Sequence, residues 1–293
     1  MMRLRLFLFV ALLSGLWACS PSDQATPTPS AIPSMTPSPR ASPTASRVPP
    51  TPTATPLTCL TQPGRVDNGE IDTTKPPQLF LIYLPPCYDA NTYQRYPVLY
   101  LLHGQTYIDD QWVRLGAPQA ADRLIRSGQA PPFIMVFPDD RFWNLPEESG
   151  FGDRVANVII PYIDSNYRTL ADRQHRAVGG LSLGGGWAIH LGLTRYDLFG
   201  SVGLHSPAIR TDDGPYVEDW IKAVPAASWP RIWIDAGDRD RDLGLIRQFE
   251  SLLSEYQVPH EWHMYNGDHS EGYWSVHVTE YLQWYAEGWK SLP

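Results

Sequence analysis

The sequence predicts an α/β fold in which helices cover both faces of a mostly parallel, doubly wound sheet. From about residue 59 onward, short apolar segments alternate with longer amphipathic ones, and this alternation continues through the 293-residue chain. Continuous apolar runs such as VLYLL at 98–102 are typical of strands buried on both faces of a parallel sheet. Strands and helices that alternate in this way form right-handed crossovers, because only this hand packs each helix back onto the sheet.

The apolar pattern predicts seven strands and five helices in this part of the chain. The strands are expected at 78–84, 98–102, 133–137, 176–179, 200–204, 231–235 and 260–265. The helices are expected at 117–126, 153–166, 184–194, 243–256 and 274–288. Because no internal repeat and no second change of composition divides residues 59–293, we expect them to form one domain.

The first nineteen residues are typical of an export signal. Residues 1–5 carry two arginines, and the next eight residues, LFLFVALL, are wholly apolar. This run is much shorter than the ~20 residues of a membrane-spanning helix, which favours a signal peptide. The segment ends in LWAC, which resembles a bacterial lipobox, so acyl chains on Cys19 are expected to anchor the protein on the extracytoplasmic side of a membrane. An ordinary signal peptide with an incidental cysteine is the alternative.

Residues 20–58 have the composition of a linker. Of these 39 positions, 11 are proline and 15 are serine or threonine, with almost no large apolar side chain. Such a segment cannot bury enough apolar surface to offset the entropy lost on ordering, so we expect it to be disordered. Its expected role is to hold residues 59–293 away from a membrane or to carry them through a cell wall.

The charge distribution excludes two classes of partner. The formal charge is −8, but residues 1–58 hold four arginines and one acid, so residues 59–293 carry −11. Nucleic acid is not an expected partner, because phosphate binding requires clustered lysine and arginine. The chain has only three lysines, so no polybasic patch is available for an anionic membrane surface.

Cys59 and Cys87 are the two cysteines that remain after Cys19. An exported chain enters an oxidising compartment, where two remaining thiols are expected to pair as a disulfide. The bridge would tie the exit of the linker to the end of the first predicted strand.

A nucleophile motif lies in a strand–turn–helix setting. Residues 180–184 read Gly-Leu-Ser-Leu-Gly, a G-x-S-x-G motif between a predicted strand and a predicted helix. The glycines suit a turn that strains the serine backbone and leaves no room for a neighbouring Cβ. Ser182 would project above the sheet edge at a helix N-terminus, where developing negative charge is favoured. The alternative is a glycine-rich turn that only packs a helix on a strand.

Two backbone N–H groups are expected to face the oxyanion of an acyl-transfer reaction. One belongs to Leu183, the residue that follows the nucleophile. The other belongs to Gln105, which comes after His103 and Gly104 at the end of the strand at 98–102. We expect His103 to brace this loop rather than to act as a base.

The acid and the base of a Ser–Asp–His set are expected to follow the serine along the chain. The loop after the strand at 231–235 reads Ala-Gly-Asp-Arg-Asp-Arg-Asp, and its acid must turn back toward the histidine. Asp240 is the preferred acid, and Asp238 and Asp242 remain open. His269 is the preferred base, because it lies in a loop after the last predicted strand. Its Nε2 would take the serine proton while Asp240 holds Nδ1–H.

The other late histidines are less well placed for this role. His260 and His263 fall in a predicted strand, and His277 falls in the last helix. His260-x-x-His263 with Asp268 offers metal-ligand types, but the spacing matches no known zinc motif. Residues three apart on a strand also point to opposite faces. We therefore expect no metal and no cofactor.

Four segments resemble the putative-esterase family of α/β-hydrolases. They are YPVLYLLHG at 96–104 with Trp112 downstream, VGGLSLGGGWA at 178–188, IDAGDRD at 234–240 and GDHSEGYW at 267–274. The family includes esterase D-like S-formylglutathione hydrolases, feruloyl and acetyl-xylan esterases, enterochelin esterases and mycolyltransferases. The resemblance implies an α/β-hydrolase fold, with Asp240 and His269 at the acid and base positions and Gln105 and Leu183 as oxyanion donors. One departure is Trp187, which follows three glycines where smaller residues are common.

The residues and the resemblance together predict an exported serine hydrolase of carboxylic esters. The expected substrate is a small-molecule or polysaccharide-linked ester. The candidate pocket residues are Tyr107, Trp112, Trp143 and His205, with Phe142 and Trp274 as further aromatic candidates. Two alternatives remain, an acyltransferase of mycolyltransferase type and a non-catalytic binding module on a hydrolase scaffold.

Overall fold

A single mixed sheet organises the part of the chain that the structure describes. The computed structural model of the protein describes residues 58–140 and 150–290. The strands in these ranges are β1 (Arg65–Ile71), β2 (Gln78–Leu84), β3 (Val98–Leu102), β4 (Ile134–Pro138), β5 (Arg176–Ser182), β6 (Ser201–Pro207), β7 (Arg231–Gly237) and β8 (Glu261–Tyr265). Their order is β1-β2-β4-β3-β5-β6-β7-β8. β2 runs antiparallel to β1 and β4, and all other neighbours are parallel.

Helices alternate with the strands from β3 onward. The α-helices of the described ranges are α1 (Gln111–Arg114), α2 (Ala117–Arg126), α3 (Phe151–Arg154), α4 (Ile160–Asn166), α5 (Leu183–Thr194), α6 (Val217–Ala223), α7 (Leu243–Glu255) and α8 (Glu271–Lys290). A π-helical segment at Val155–Ile159 joins α3 to α4. Short 3-10 turns lie at Thr58–Thr61, Arg173–His175, Gly214–Tyr216 and Ala226–Ser228.

The predicted fold class is confirmed, and each predicted strand and helix is present. The strands at 78–84 and 98–102 and the helix at 117–126 have the predicted ends, and the other elements have shifted ends. The strand predicted at 176–179 continues to Ser182, and the helix predicted at 153–166 consists of α3, the π segment and α4. Three further elements, β1, α1 and α6, carry no clear apolar signal. β1 reads RVDNGEI because it is an edge strand whose residues are mostly exposed or half-buried.

Two apolar cores, one on each face of the sheet, explain the continuous apolar strands. Along β3, Val98, Tyr100 and Leu102 belong to one core, and Leu99 and Leu101 belong to the other. The first core also contains side chains of α5, α6 and α7, and the second contains side chains of α2 and α8. Because successive strand residues point to opposite faces, all of VLYLL is buried only where helices cover both faces.

α8 approaches the sheet closely where two glycines face it. A Cβ added to Gly179 of β5 or Gly203 of β6 would lie 1.8 Å from Tyr285 Oη. The missing side chains therefore leave the space that the Tyr285 hydroxyl occupies, as glycines in strand interiors do at close approaches.

A buried carboxylate joins α8 to the strands. Asp235 of β7 is fully buried, and its Oδ1 accepts hydrogen bonds from His205 Nδ1 at 2.7 Å and Trp233 Nε1 at 2.9 Å. Its Oδ2 accepts hydrogen bonds from the hydroxyls of Tyr273 at 2.7 Å and Tyr281 at 2.8 Å, both on α8. Burial, together with the charge of Asp235, raises the pKa of both tyrosines, so they remain protonated donors. Four donors thus compensate the carboxylate for its loss of water.

His205 is part of this buried cluster, so its prediction as a pocket residue is wrong. The ring is fully buried, with Nδ1 on Asp235 and Nε2 at 3.1 Å from Tyr285 Oη. It also stacks on Tyr281 with ring centroids 3.7 Å apart. A residue near a strand end points to one face or the other, and here the side chain points toward α8.

Cys59 and Cys87 form the predicted disulfide. Cys59 lies in the 3-10 turn at Thr58–Thr61, and Cys87 follows shortly after β2. The bridge therefore joins the start of the described chain to the connection between β2 and β3.

The predicted signal peptide, Cys19 and the linker up to residue 57 lie outside the described residues. No helix within the described ranges combines the length and the apolar character that crossing a membrane requires.

Replacing Asp235 with alanine should lower the free energy of unfolding by about 3–5 kcal/mol, because the substitution leaves four buried donors without their acceptor. Urea denaturation followed by tryptophan fluorescence measures the change. Asp197→Ala is the matched control, because Asp197 forms an exposed pair with Arg195 that is worth at most about 1 kcal/mol. A loss at Asp235 no larger than the loss at Asp197 would contradict the stabilising role of the buried cluster.

Candidate active site

Ser182 lies in a sharp turn between β5 and α5. Its backbone has φ 53° and ψ −120°, a strained conformation for a residue with a side chain. A Cβ added to Gly180 would lie 2.2 Å from the carbonyl group of Gly184, and one added to Gly184 would lie 2.2 Å from Leu102 O. The turn therefore requires glycine on both sides of the serine, as the G-x-S-x-G motif predicts.

The structure brings Ser182, His269 and Asp240 into one hydrogen-bonded chain. Ser182 Oγ lies 2.9 Å from His269 Nε2, and His269 Nδ1 lies 3.0 Å from each carboxylate oxygen of Asp240. This network places the ring proton on Nδ1 and leaves Nε2 as the acceptor for the serine hydroxyl. Ser182 is the last residue of β5, and Asp240 and His269 come from the loops after β7 and β8.

The electrostatics favour Asp240 as the acid of this set. Burial raises the pKa of Asp240, but hydrogen bonds from His269 and from the Asp242 backbone N–H lower it more, so the pKa lies below its usual value. Asp240 therefore stays ionised beside the imidazole. Asp242 lies farther from His269, with 3.7 Å between Oδ2 and Nδ1. Asp238 instead accepts a hydrogen bond from Gly267 N at 2.9 Å, which braces the loop that carries His269.

The two predicted oxyanion donors lie beside the serine. Leu183 is the first residue of α5, where backbone N–H groups have no partner within the helix. Gln105 lines the same pocket as Ser182. The backbone just before Gln105 is fixed by two hydrogen bonds of Gly104. The Gly104 N–H donates to Gln111 Oε1 at 2.8 Å, and the Gly104 carbonyl accepts from Tyr107 N at 3.2 Å.

The His103 side chain braces this loop through two hydrogen bonds, as the sequence predicts. Its Nδ1 donates to Gly104 O at 2.8 Å, and its Nε2 accepts from Asp140 N–H at 2.8 Å. Both ring nitrogens are therefore engaged, and this pairing requires the neutral imidazole. Burial lowers the pKa of His103, which favours the same state.

An open pocket of about 510 Å³ surrounds the serine. Its lining residues are Gly104, Gln105, Thr106, Tyr107, Leu181, Ser182, Arg241, His269, Ser270, Glu271 and Trp274. Tyr107 therefore lines the pocket, as predicted. Trp274 packs edge-on against His269 with ring centroids 5.0 Å apart. Arg241 and Glu271 are pocket residues that the sequence analysis does not single out, although each lies one or two residues from a member of the Ser–His–Asp set.

The structure does not confirm two of the predicted pocket residues, Trp112 and Trp143. Trp112 is 1% exposed, and its Nε1 donates to Leu102 O at 3.0 Å, so its prediction as a pocket residue is wrong. It packs instead against His205 and Tyr281 in the core on the α8 side. Trp143, like Phe142, lies outside the described residues.

The chain also resembles known proteins in its sequence and in its fold. Residues 73–285, most of the chain, match the model of the family described as "Putative esterase". The chain belongs to this family. The α/β-hydrolase fold and the esterase-family motifs of the sequence agree with that membership.

Several similar proteins carry esterase names. The chain is 33% identical over 182 residues to an endo-1,4-beta-xylanase/feruloyl esterase of Xylanibacter ruminicola, an alignment that covers 58% of this chain and 24% of that protein. It is 28% identical over 244 residues to an esterase of Mycobacterium tuberculosis, covering 64% and 51% of the two proteins. This member of the esterase family thus spans about a quarter of the length of the first relative and about half of the length of the second. A solved structure of a ferulic acid esterase superposes with a TM-score of 0.70 at 25% identity, covering 78% of this chain and all of that one.

Asp240, Asp242 and His269 are also close enough to share a metal ion, because their ligand atoms lie within 4.8 Å of one another. The two ring nitrogens of His269 already bond to Ser182 and Asp240. In this esterase-family chain the cluster therefore fits a hydrogen-bonded Ser–His–Asp set better than a metal site. His260 and His263 do not form the alternative site: His260 bonds to Val258 O and Glu250, and His263 stacks on Trp233.

Protonation of His103 should destabilise the fold as the pH falls. Because burial lowers the pKa of His103 in the folded state, the unfolded chain binds more protons between that pKa and the ordinary value near 6.5. The free energy of unfolding should therefore decrease as the pH falls below about 6.5. The His103→Gln variant removes this titration and should show a flatter profile between pH 7.5 and pH 5. Urea denaturation at each pH measures the difference, and parallel profiles would contradict the assignment.

Proposed function

We propose that this protein is an exported serine esterase that hydrolyses carboxylic esters through an acyl-enzyme on Ser182. The observation that carries the proposal is the continuous hydrogen-bonded chain from Ser182 through His269 to Asp240 at the floor of an open pocket. Membership of the esterase family supports the same reaction class.

The geometry supports a two-step reaction. His269 Nε2 takes the Ser182 proton as Oγ attacks the ester carbonyl carbon, and Asp240 stabilises the imidazolium that forms. The backbone N–H groups of Gln105 and Leu183 donate to the oxyanion of the tetrahedral intermediate. When the intermediate collapses, the leaving alcohol takes the proton from His269. A water molecule then attacks the acyl-enzyme with His269 as the base, which releases the acid and restores Ser182.

The proposed substrates are hydroxycinnamoyl esters of polysaccharides, such as feruloyl esters. The names of the Xylanibacter ruminicola relative and of the superposed structure support this class. The pocket volume of about 510 Å³ lies in the range of sites for small organic ligands. Tyr107 and Trp274 lie in its wall, where an aromatic acyl group would contact them.

An extracytoplasmic, membrane-anchored location completes the proposal, and the sequence of residues 1–58 supports it. The short apolar run, Cys19 and the proline-rich linker together are typical of a lipoprotein on a tether. An enzyme placed there would reach polymeric esters outside the cell.

The Ser182→Ala variant should lose esterase activity by about 10⁴- to 10⁶-fold, because the nucleophile is removed and the rest of the site remains. Initial rates with p-nitrophenyl acetate and methyl ferulate measure the loss. Ser254→Ala is the matched control, because Ser254 is exposed on α7 and its hydroxyl donates a hydrogen bond to Glu250. Equal rates for wild type and Ser182→Ala would refute the mechanism and favour a non-catalytic binding module.

Acyl transfer to a sugar is the second candidate, because the same acyl-enzyme can react with a hydroxyl group in place of water. Mass spectrometry of the products formed from methyl ferulate in the presence of an acceptor oligosaccharide separates the two reactions. We expect free ferulic acid as the product. A feruloylated oligosaccharide as the main product would replace the hydrolase assignment with a transferase.

The Cys19→Ala variant should lose its acyl chains and leave the membrane fraction, because two or more chains are needed for stable anchoring. Metabolic labelling with a clickable palmitate analogue, followed by membrane fractionation, measures both effects. Labelling that persists in the variant would contradict the anchor and leave the esterase proposal untouched.

A further inference from the structure

Gln111 connects two parts of the site that lie far apart in the sequence, since one of its partners, Glu271, comes 160 residues after it. It is the first residue of α1, and its side chain is fully buried. Its Oε1 accepts a hydrogen bond from Gly104 N–H at 2.8 Å, and its Nε2 donates to Glu271 Oε1 at 3.1 Å. Gly104 directly precedes Gln105, and Glu271 is the first residue of α8 and lines the pocket.

Two adjacent residues of α1 hold the backbone on both sides of His103. Trp112 Nε1 donates to Leu102 O at 3.0 Å, before His103, and Gln111 Oε1 accepts from the N–H after it. The peptide groups that lead to Gln105 are thus held from outside the loop. The Gln105 N–H belongs to the next peptide group, whose carbonyl, Gly104 O, accepts hydrogen bonds from His103 Nδ1 and Tyr107 N. The two contacts from α1 therefore influence its orientation through the peptide groups that precede it.

The position of Gln111 requires a neutral amide. The side chain must accept from a backbone N–H at one end and donate to the Glu271 carboxylate at the other, and glutamine supplies both. A glutamate would face the carboxylate of Glu271 with a second negative charge. A leucine of similar size would leave the buried Gly104 N–H without an acceptor.

We propose that Gln111 is a positioning residue that aims the Gln105 N–H at the oxyanion and couples this loop to Glu271 on α8. The proposal rests on the esterase function proposed above. Gln111 does not contact substrate, because its side chain is fully buried and is absent from the pocket lining. Glu271 also accepts hydrogen bonds from Arg114 Nη1 at 3.1 and 3.2 Å, which hold the carboxylate toward α1.

The first test measures the Gln111→Leu variant with p-nitrophenyl acetate. We expect kcat to fall by about 10- to 10³-fold, as when an oxyanion donor is lost, while KM changes by less than about twofold. Affinity for phenylboronic acid, whose tetrahedral serine adduct places an oxygen among the oxyanion donors, should weaken by a similar factor. Gln283→Leu is the matched control, because Gln283 also donates to a glutamate, Glu287, but on the exposed side of α8.

The second test exchanges the two partners and covers the case in which Gln111→Leu does not fold. Gln111→Glu alone should lower kcat, because it places a second carboxylate beside Glu271. The glutamate keeps an acceptor for Gly104 N–H, and adding Glu271→Gln supplies the donor that is missing between the two side chains, so most of kcat should return. Glu271→Gln alone should lose part of kcat, because Gln111 Nε2 then lacks its charged acceptor.

Three outcomes would overturn the positioning role. They are an unchanged kcat in Gln111→Leu, a rise in KM without loss of kcat or boronate affinity, and a double variant no better than Gln111→Glu. Ser182→Ala measured in parallel keeps the two proposals apart. If wild type is no faster than Ser182→Ala, the esterase function fails; if only wild type is active and Gln111 variants match it, the positioning role alone fails.

Discussion

The common edge at which the parallel strands end is the constraint on which the site depends. Ser182 and His269 are 87 residues apart in the chain, yet their side chains lie 2.9 Å apart. Each follows the carboxyl end of a strand, and the parallel register from β3 to β8 brings these ends to one edge of the sheet. Asp240, after β7, joins them for the same reason. Without this register no turn, however strained, would bring the three groups together.

Two aspartates near this edge show how surroundings divide similar side chains between different tasks. Asp235 is enclosed by four hydrogen-bond donors from β6, β7 and α8, so its charge holds elements together. Asp240, five residues later, faces the His269 imidazole and the Asp242 N–H, and its low pKa keeps a negative charge beside a group that can gain a proton. The two side chains are chemically identical, but the number and kind of hydrogen-bond donors around their carboxylates differ.

Local pattern predicts the fold and the nucleophile because both depend on neighbours in sequence. The apolar runs fix the strands, and the glycines around Ser182 report a turn that only glycine permits. The acid is harder to predict, since three aspartates share one loop. The sequence prefers Asp240 but leaves Asp238 and Asp242 open, and the tertiary contact with His269 separates them. The sequence places Trp112 in the pocket by residue type and His205 by its position near a strand end. Their burial beside α8 depends on packing that no local pattern carries. No sequence pattern indicates a role for Gln111, because its two partners, Gly104 and Glu271, lie far apart in the chain.

The disulfide changes how mechanical force would pass into the domain. Tension applied to the chain ahead of Cys59 crosses the bond to Cys87 and enters the backbone after β2. The chain between the two cysteines, which are 28 positions apart, contains the antiparallel pair of β1 and β2 and lies outside that path. Because force on an edge strand such as β1 would otherwise break its hydrogen bonds to β2 one at a time, the crosslink protects this strand from tension in the preceding chain.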